Sequence, residues 1–247
     1  MILKKGKDRF WEIDFLRGFA IILMIFFHII YDLNFFSITN FRIYSGIILY
    51  IARLSASIFV VLAGISLSIS YSKSKNWLKT NDIILKFIKR GLKILFLGVI
   101  ISVITWFYIP RGFVVFGILH FIGTSIILSL IFIRYRVINI IFGLLFIIVG
   151  FYLKSLTFDF NILIPLGFIP NNFWTIDYFP LFPWFGIFLI GISIGNIIYP
   201  DFKRKYEIKD LSKKLLVKSF CFLGRNSLLI YFLHQPIIIG IITILVT

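Results

Sequence analysis

Cysteine is nearly absent from this chain: of 247 residues only Cys221 is one. That excludes an intramolecular disulfide and leaves no cysteine-based metal motif, so Cys221 reads as a small apolar side chain. Acidic residues are scarce too, 10 against 26 basic ones, for a formal net charge of +16. A balance of that sign would suit nucleic acid, but its distribution excludes such a partner, because the basic residues fall in short stretches between apolar runs. No internal repeat of the kind that builds inverted-repeat transporters is visible. No stretch marks a separate soluble domain, and residues 1–247 read as one integral membrane domain.

What the chain has in excess is apolar surface. Hydrophobic residues make up 60% of it, with a mean hydropathy of +1.02, against about 45–50% in soluble domains. Seven runs reach spanning length, at roughly 14–35, 47–71, 83–107, 113–133, 137–153, 178–199 and 225–246. Each holds about 17–25 residues, enough for a hydrocarbon core of about 30 Å at about 1.5 Å per residue. The predicted fold is all-α, a polytopic membrane helix bundle of about seven transmembrane helices. Between the fifth and sixth lies "DFNILIPLGFIPNNFWTIDYFP", apolar but broken by Pro165, Gly167 and Pro170. The stretch 159–177 is a re-entrant or interfacial piece, or part of a further short span.

Basic residues set the orientation. Segments 1–12, 72–93, 134–136 and 200–225 hold 4, 7, 2 and 8 of the 26, while the alternate loops hold only Arg42, Arg111 and Lys154. The alternation predicts a cell-membrane protein with a cytoplasmic N-terminus and Thr247 outside. Lys4, Lys5, Lys7 and Arg9 before an apolar run resemble the start of a signal peptide. The run is long, charged and without a small-residue cleavage site, which predicts a retained first helix. "DFKRKYEIKDLSKKLLVKS" reads as a basic stretch serving topology and attraction to anionic lipid.

The first helix, "EIDFLRGFAIILMIFFHIIYD", holds Asp14, Arg17, His28 and Asp32. Residues advance about 100° each, so Arg17 and His28, eleven apart, share a face; Asp14 and Asp32 lie close to it. The stripe covers about 27 Å, and lipid does not tolerate it, so it faces the bundle interior. Either pair alone could be interfacial; four on one face favour a functional stripe. All three histidines fall in spanning runs: His28, His120 in "FGILHFIGT" and His234 in "GRNSLLIYFLHQP". One buried histidine is commonly a satisfied core residue, whereas three point to chemistry.

The last helix aligns Ser227, Tyr231 and His234, with Gln235 beside them and Pro236 interrupting the ladder. The second helix aligns Arg53, Ser57, Gly64 and Ser68, and Arg53 either faces inward or snorkels out. Gly191 and Gly195 read as a close-packing pair. His28, Asp32 and Arg53 in the outer half are expected to meet near His120, with Arg17, Arg225 and Asn226 at the cytoplasmic side. A passage so lined suits an anionic donor from the cytoplasm and a nucleophile activated by histidine.

Arg17 and His28, with ten residues between them, resemble the first-helix signature of the transmembrane acyltransferase superfamily. More closely, the chain resembles the heparan-α-glucosaminide N-acetyltransferase catalytic-domain family in a short prokaryotic form. The stretches that carry the likeness are "EIDFLRGFAIILMIFFHIIYDLNFF", "FGILHFIGT", "FPLFPWFGIFLIGISIG" and "LGRNSLLIYFLHQPIII". The resemblance implies a multi-pass enzyme moving an acyl group, typically acetyl, from cytoplasmic acyl-CoA to a hydroxyl or amine of a glycan or lipid-linked acceptor. Carried over by position, Arg17 would contact the donor and His28 would be general base or acyl relay. By spacing, Asp32 is expected to orient His28, with Asp14, Arg225 and Asn226 on the donor side. Arg53, His120, Tyr231, His234 and Gln235 are expected in a supporting role or on the acceptor side.

No bound cofactor is expected, and acetyl-CoA or another acyl-CoA enters as donor substrate. The alternative reading is a proton-coupled transporter using the Asp/Arg/His stripe as a relay. Metal binding by His28 and Asp32 with His120 or His234 finds no ligand-dense motif in support.

Overall fold

A computed structural model describes residues 9–246. The basic residues Lys4, Lys5 and Lys7 and the terminal Thr247, used above to orient the chain, lie outside the described residues. The chain is all-α, with no strand among the described residues. Its helices are α1 (Trp11–Phe35), α2 (Gly46–Lys75), α3 (Thr80–Tyr108), α4 (Ile118–Leu128), α5 (Val137–Leu153), α6 (Leu181–Ile198), α7 (Leu215–Arg225) and α8 (Ser227–Val246). Five of them, α1, α2, α3, α6 and α8, are long and apolar enough to cross a membrane, and α4 and α5 are shorter apolar helices.

Packing divides the chain into two compact units, one comprising residues up to Leu62 together with those from Ile208, the other Ala63–Glu207. In the first unit α1 shows how the sequence builds its element. Leu16, Phe19, Ile22, Phe26 and Ile29 form an exposed stripe at helical spacing, while Asp14, Gly18, Ala20, Ile21, Met24 and Asp32 are buried. The polar and small residues thus face inward, together with Ile21 and Met24, and the outward face is apolar, as lipid requires. Glycines let α1 and α7 meet backbone to backbone: a Cβ on Gly18 would run into Phe220, and one on Gly224 into the Asp14 carbonyl. Ser55 of α2 donates to the Ala20 carbonyl at 2.9 Å. After α1, Asn34 shapes the turn, donating to the Phe41 carbonyl and accepting from the Phe41 amide and Thr39 hydroxyl at 2.6, 2.9 and 2.8 Å.

The second unit packs by the same device. Gly64 lies against the Phe188 carbonyl and Gly191, Gly195 against Ser68, Gly91 against Gly123, and Gly143 against Gly186. The pair Gly191 and Gly195 is therefore a close-packing face for α2.

Two boundaries differ from the expected ones. The predicted span 113–133 contains only the 11 helical residues of α4, about 16 Å of helix. Residues before it are extended and bridge to the loop preceding α6, where Phe179 donates to the Phe116 carbonyl at 2.9 Å. The last predicted run divides at Asn226 into the end of α7 and α8. α8 continues through Pro236 as one helix, and the ladder is interrupted there, as expected, only by the bond that proline cannot donate. The segment 159–177 has as its regular structure one 3-10 turn, Ile164–Leu166. Tyr178 pins that turn through its hydroxyl to the Ile164 carbonyl at 2.7 Å, and burial pushes its phenol above the ordinary range.

Candidate functional site

In the first unit α1 and α8 run in the same direction, and two polar clusters form between α1 and the α7–α8 segment. At the start of α1, Asp14 is buried and takes an arginine on each oxygen: Arg17 Nη1 at 3.2 Å on Oδ1 and Arg225 Nε at 3.2 Å on Oδ2. Arg17 also donates to the Gly224 carbonyl at 3.4 Å. The glycine that admits the α1 backbone thus places Arg225, the last residue of α7, against Asp14. Asn226 donates to the Phe222 carbonyl at 2.9 Å and closes α7 rather than joining the ion pairs. Cys221 packs beneath with its thiol 3.3 Å from the Trp11 carbonyl, and burial pushes that thiol up.

The second cluster lies about 21 Å further along α1, fourteen residues at about 1.5 Å each. His28 and His234 meet edge to face with ring centres 4.7 Å apart. Nδ1 of His28 lies 2.8 Å from the Met24 carbonyl, and Nδ1 of His234 lies 2.6 Å from the Tyr231 carbonyl. A carbonyl only accepts, so both Nδ1 atoms carry the proton and each Nε2 presents a lone pair. Gln235 donates to Asp32 Oδ1 at 2.9 Å. Three further atoms here are buried without a hydrogen-bond partner: Asp32 Oδ2, Gln235 Oε1 and His234 Nε2. All are acceptors. Native structures rarely bury unsatisfied acceptors, and a group of them marks a place for a ligand.

The orienting partner of His28 differs from the expected one. Helical side chains lean toward the N-terminus, so the ring reaches back to the Met24 carbonyl one turn earlier, and Asp32 turns to Gln235 instead. Arg53 is exposed on α2, and Tyr231 contributes its carbonyl together with a ring 5.5 Å from that of His234.

His120 belongs to the second unit. Ser102 gives its hydroxyl proton to the Val114 carbonyl at 2.5 Å, so His120 Nε2 donates to Ser102 Oγ at 3.3 Å. Its Nδ1 accepts from the Gly117 amide at 3.3 Å. With both nitrogens occupied it caps α4, helped by Asp177, which accepts from the Ile118 amide at 3.1 Å. Asp177 was not singled out in the sequence; an acidic residue in an apolar loop was the available signal. Among the described residues no three His, Cys, Asp or Glu side chains gather to hold a metal ion.

Comparison with protein families matches residues 9–236 to the model for heparan-alpha-glucosaminide N-acetyltransferase, catalytic. The match takes in both clusters and most of the chain. The protein belongs to this family. Neither the curated proteins nor the solved structures compared with it give a match. Membership in the heparan-α-glucosaminide N-acetyltransferase catalytic family, with five helices of spanning character, makes the chain a membrane protein of an acetyltransferase class.

Proposed function

We propose that this protein transfers an acyl group, acetyl in the first instance, from cytoplasmic acyl-CoA to a hydroxyl or amine of a glycan or lipid-linked acceptor. The observation that carries the reading is the state of His28: its Nδ1 proton is committed to the Met24 carbonyl, and its ring meets that of His234, whose Nε2 is an unsatisfied acceptor. That is the tautomer a general base requires. His28 Nε2 takes the proton of the attacking hydroxyl or amine. The acceptor oxygen or nitrogen bonds to the thioester carbonyl carbon, the carbon–sulfur bond breaks, and the proton returns to the leaving thiolate to give free CoA. A route through acyl-His28 ends in the same products. His234, Gln235 and Asp32 offer lone pairs to the donor groups of the acceptor. Arg17 and Arg225 both hold Asp14 at this end, and guanidinium groups so placed suit the phosphates of CoA.

The test is release of free CoA from acetyl-CoA by purified protein in liposomes, with amino-sugar and membrane-lipid extracts as acceptors. His28→Ala is expected to lower the rate by about 10²–10⁴, the usual worth of a positioned base. Full activity in that variant sinks the mechanism. Absence of CoA release with every extract, combined with proton-coupled uptake, replaces it with the transporter reading.

A further inference from the structure

Where α2 gives way to α3, and α4 to α5, the second unit gathers cations around aromatic rings. Lys86 donates to the Ser74 hydroxyl at 2.6 Å, and its ammonium lies 5.6 Å from the Phe87 ring centre. Lys73 stands 5.0 Å over the Phe202 ring. The charges of Arg90 and Lys73 both act on Lys86. Arg134 donates from Nε to the Tyr71 hydroxyl at 3.0 Å, and the Tyr71 ring packs 6.4 Å from Phe87. Lys73, Lys86 and Arg90 thus act on one another, and Arg134 reaches the same patch through the Tyr71–Phe87 ring pair. Asp82, one turn before Lys86, is exposed. Like charges so placed repel one another, and an anion between them relieves that cost.

Basic residues at helix ends set topology from a loose loop equally well. This loop is strapped. Asn139 Nδ2 donates to the Phe132 and Tyr135 carbonyls at 3.0 and 2.8 Å, and Asn196 Nδ2 to those of Ile133 and Tyr135, both at 3.1 Å. Ser193 donates to the Arg136 carbonyl at 2.5 Å. Asn139 and Ser193 are fully buried, and Asn196 is held in turn by the Ser68 hydroxyl at 2.6 Å. Side chains of α5 and α6 therefore fix the backbone that carries Arg134. The Arg134 guanidinium is itself on the Tyr71 hydroxyl, and a planar fork of that kind on the same patch as ammonium groups is the chemistry that recognises phosphate.

We propose that Lys73, Lys86, Arg90 and Arg134 form a phosphate-binding site. The phosphate comes either from the headgroup of an anionic phospholipid or from a water-borne nucleotide; the recognition chemistry is shared. The proposal does not rest on acyl transfer, because binding is read without turnover.

The test has two arms. In the first, protein in nanodiscs of zwitterionic lipid is titrated with adenosine 3′,5′-bisphosphate. In the second, protein reconstituted with a phosphatidylcholine–phosphatidylglycerol mixture is re-purified and its retained lipids are quantified. Nucleotide binding that weakens about tenfold in Lys86→Gln or Arg134→Gln, one charge-assisted contact each, supports the site with a water-borne ligand. Phosphatidylglycerol enrichment in the wild type that disappears in the double variant supports it with a lipid. Arg134→Lys keeps the charge, loses the fork and falls between. Lys154→Gln, beyond the other end of α5, changes neither arm. Lys86 and Arg134 are exposed, so their loss leaves the fold standing, and a thermal melt of each variant checks this. No binding in either arm, or binding indifferent to both substitutions, overturns the proposal and leaves the cations a purely topological role.

Discussion

Asp14 and Asp32 are both buried carboxylates on α1, 6% and 3% exposed, and they are satisfied in opposite ways. Each oxygen of Asp14 holds an arginine, one from its own helix and one from α7. Asp32 holds one neutral amide, and its second oxygen has no partner. A carboxylate closed on both sides joins helices. One left half open in the interior costs about 1–3 kcal/mol or more, and is understandable where a ligand completes it. The histidines repeat the contrast. His120 spends both nitrogens within the protein, whereas His28 and His234 each keep Nε2 as a lone pair. Residue type is alike in these pairs, and so is burial for the two carboxylates and for His120 and His234, so the account of partners separates structure from site.

The strongest way to break the comparison is at Asp14. Asp14→Ala leaves Arg17 and Arg225 facing each other without the carboxylate. Removing one member of a buried pair costs about 3–5 kcal/mol, and Arg225 is half exposed, so a loss of about 2–4 kcal/mol is expected. Thermal unfolding in detergent reads it, and an unchanged midpoint removes the joining role. Gly224→Ala probes the same junction through shape, because a Cβ there meets the Asp14 backbone carbonyl. Overpacking of that kind costs about 1–3 kcal/mol. It moves Arg225 away from Asp14, so Gly224→Ala and Asp14→Ala combined should destabilise less than the sum of the two.

His120→Ala comes next. It removes the acceptor of the Gly117 amide and the partner of Ser102, for about 1–2 kcal/mol. Its expected signature is a lower unfolding midpoint with CoA release per folded molecule held within about twofold, as for a cap rather than a base. A collapse of turnover at intact stability would instead place His120 in the chemistry.

Much of this organisation is legible in the residues. The stripe on α1 follows from helical spacing, because lipid forbids the alternative, and the structure buries Asp14 and Asp32 on it. The limits of α5 follow from apolar residues bounded by basic ones. The true extent of α4 does not. Phe113, Val114, Val115 and Phe116 before it are as apolar as a helix, and hydrogen bonds to residues 175–179 and to Ser102 and Thr105 of α3 hold them extended. α7 is hidden for the opposite reason, since Lys218 and the lysines just before the helix, Lys213 and Lys214, mask the apolar face that buries Val217 and Cys221. The partner of His28 is a backbone carbonyl, which no side-chain pattern marks. The role of His120 depends on Ser102, a residue on another helix.

Asp32→Asn is the smallest change and the sharpest one. The asparagine carbonyl still accepts from Gln235, so the contact between α1 and α8 survives and the stability should change by less than about 1 kcal/mol. At the other position an acceptor becomes an NH2 group, a donor. If Asp32 completes its hydrogen bonding with a donor of the acyl acceptor, that exchange opposes a donor to a donor. The KM for acceptor should then rise about tenfold, with kcat falling less, since a contact shared by ground and transition state affects binding first. Initial rates of CoA release across a range of acceptor concentrations separate the two parameters. A variant with unchanged KM and kcat would make Asp32 a second structural carboxylate like Asp14, and the contrast between the two ends of α1 would rest on the histidines alone.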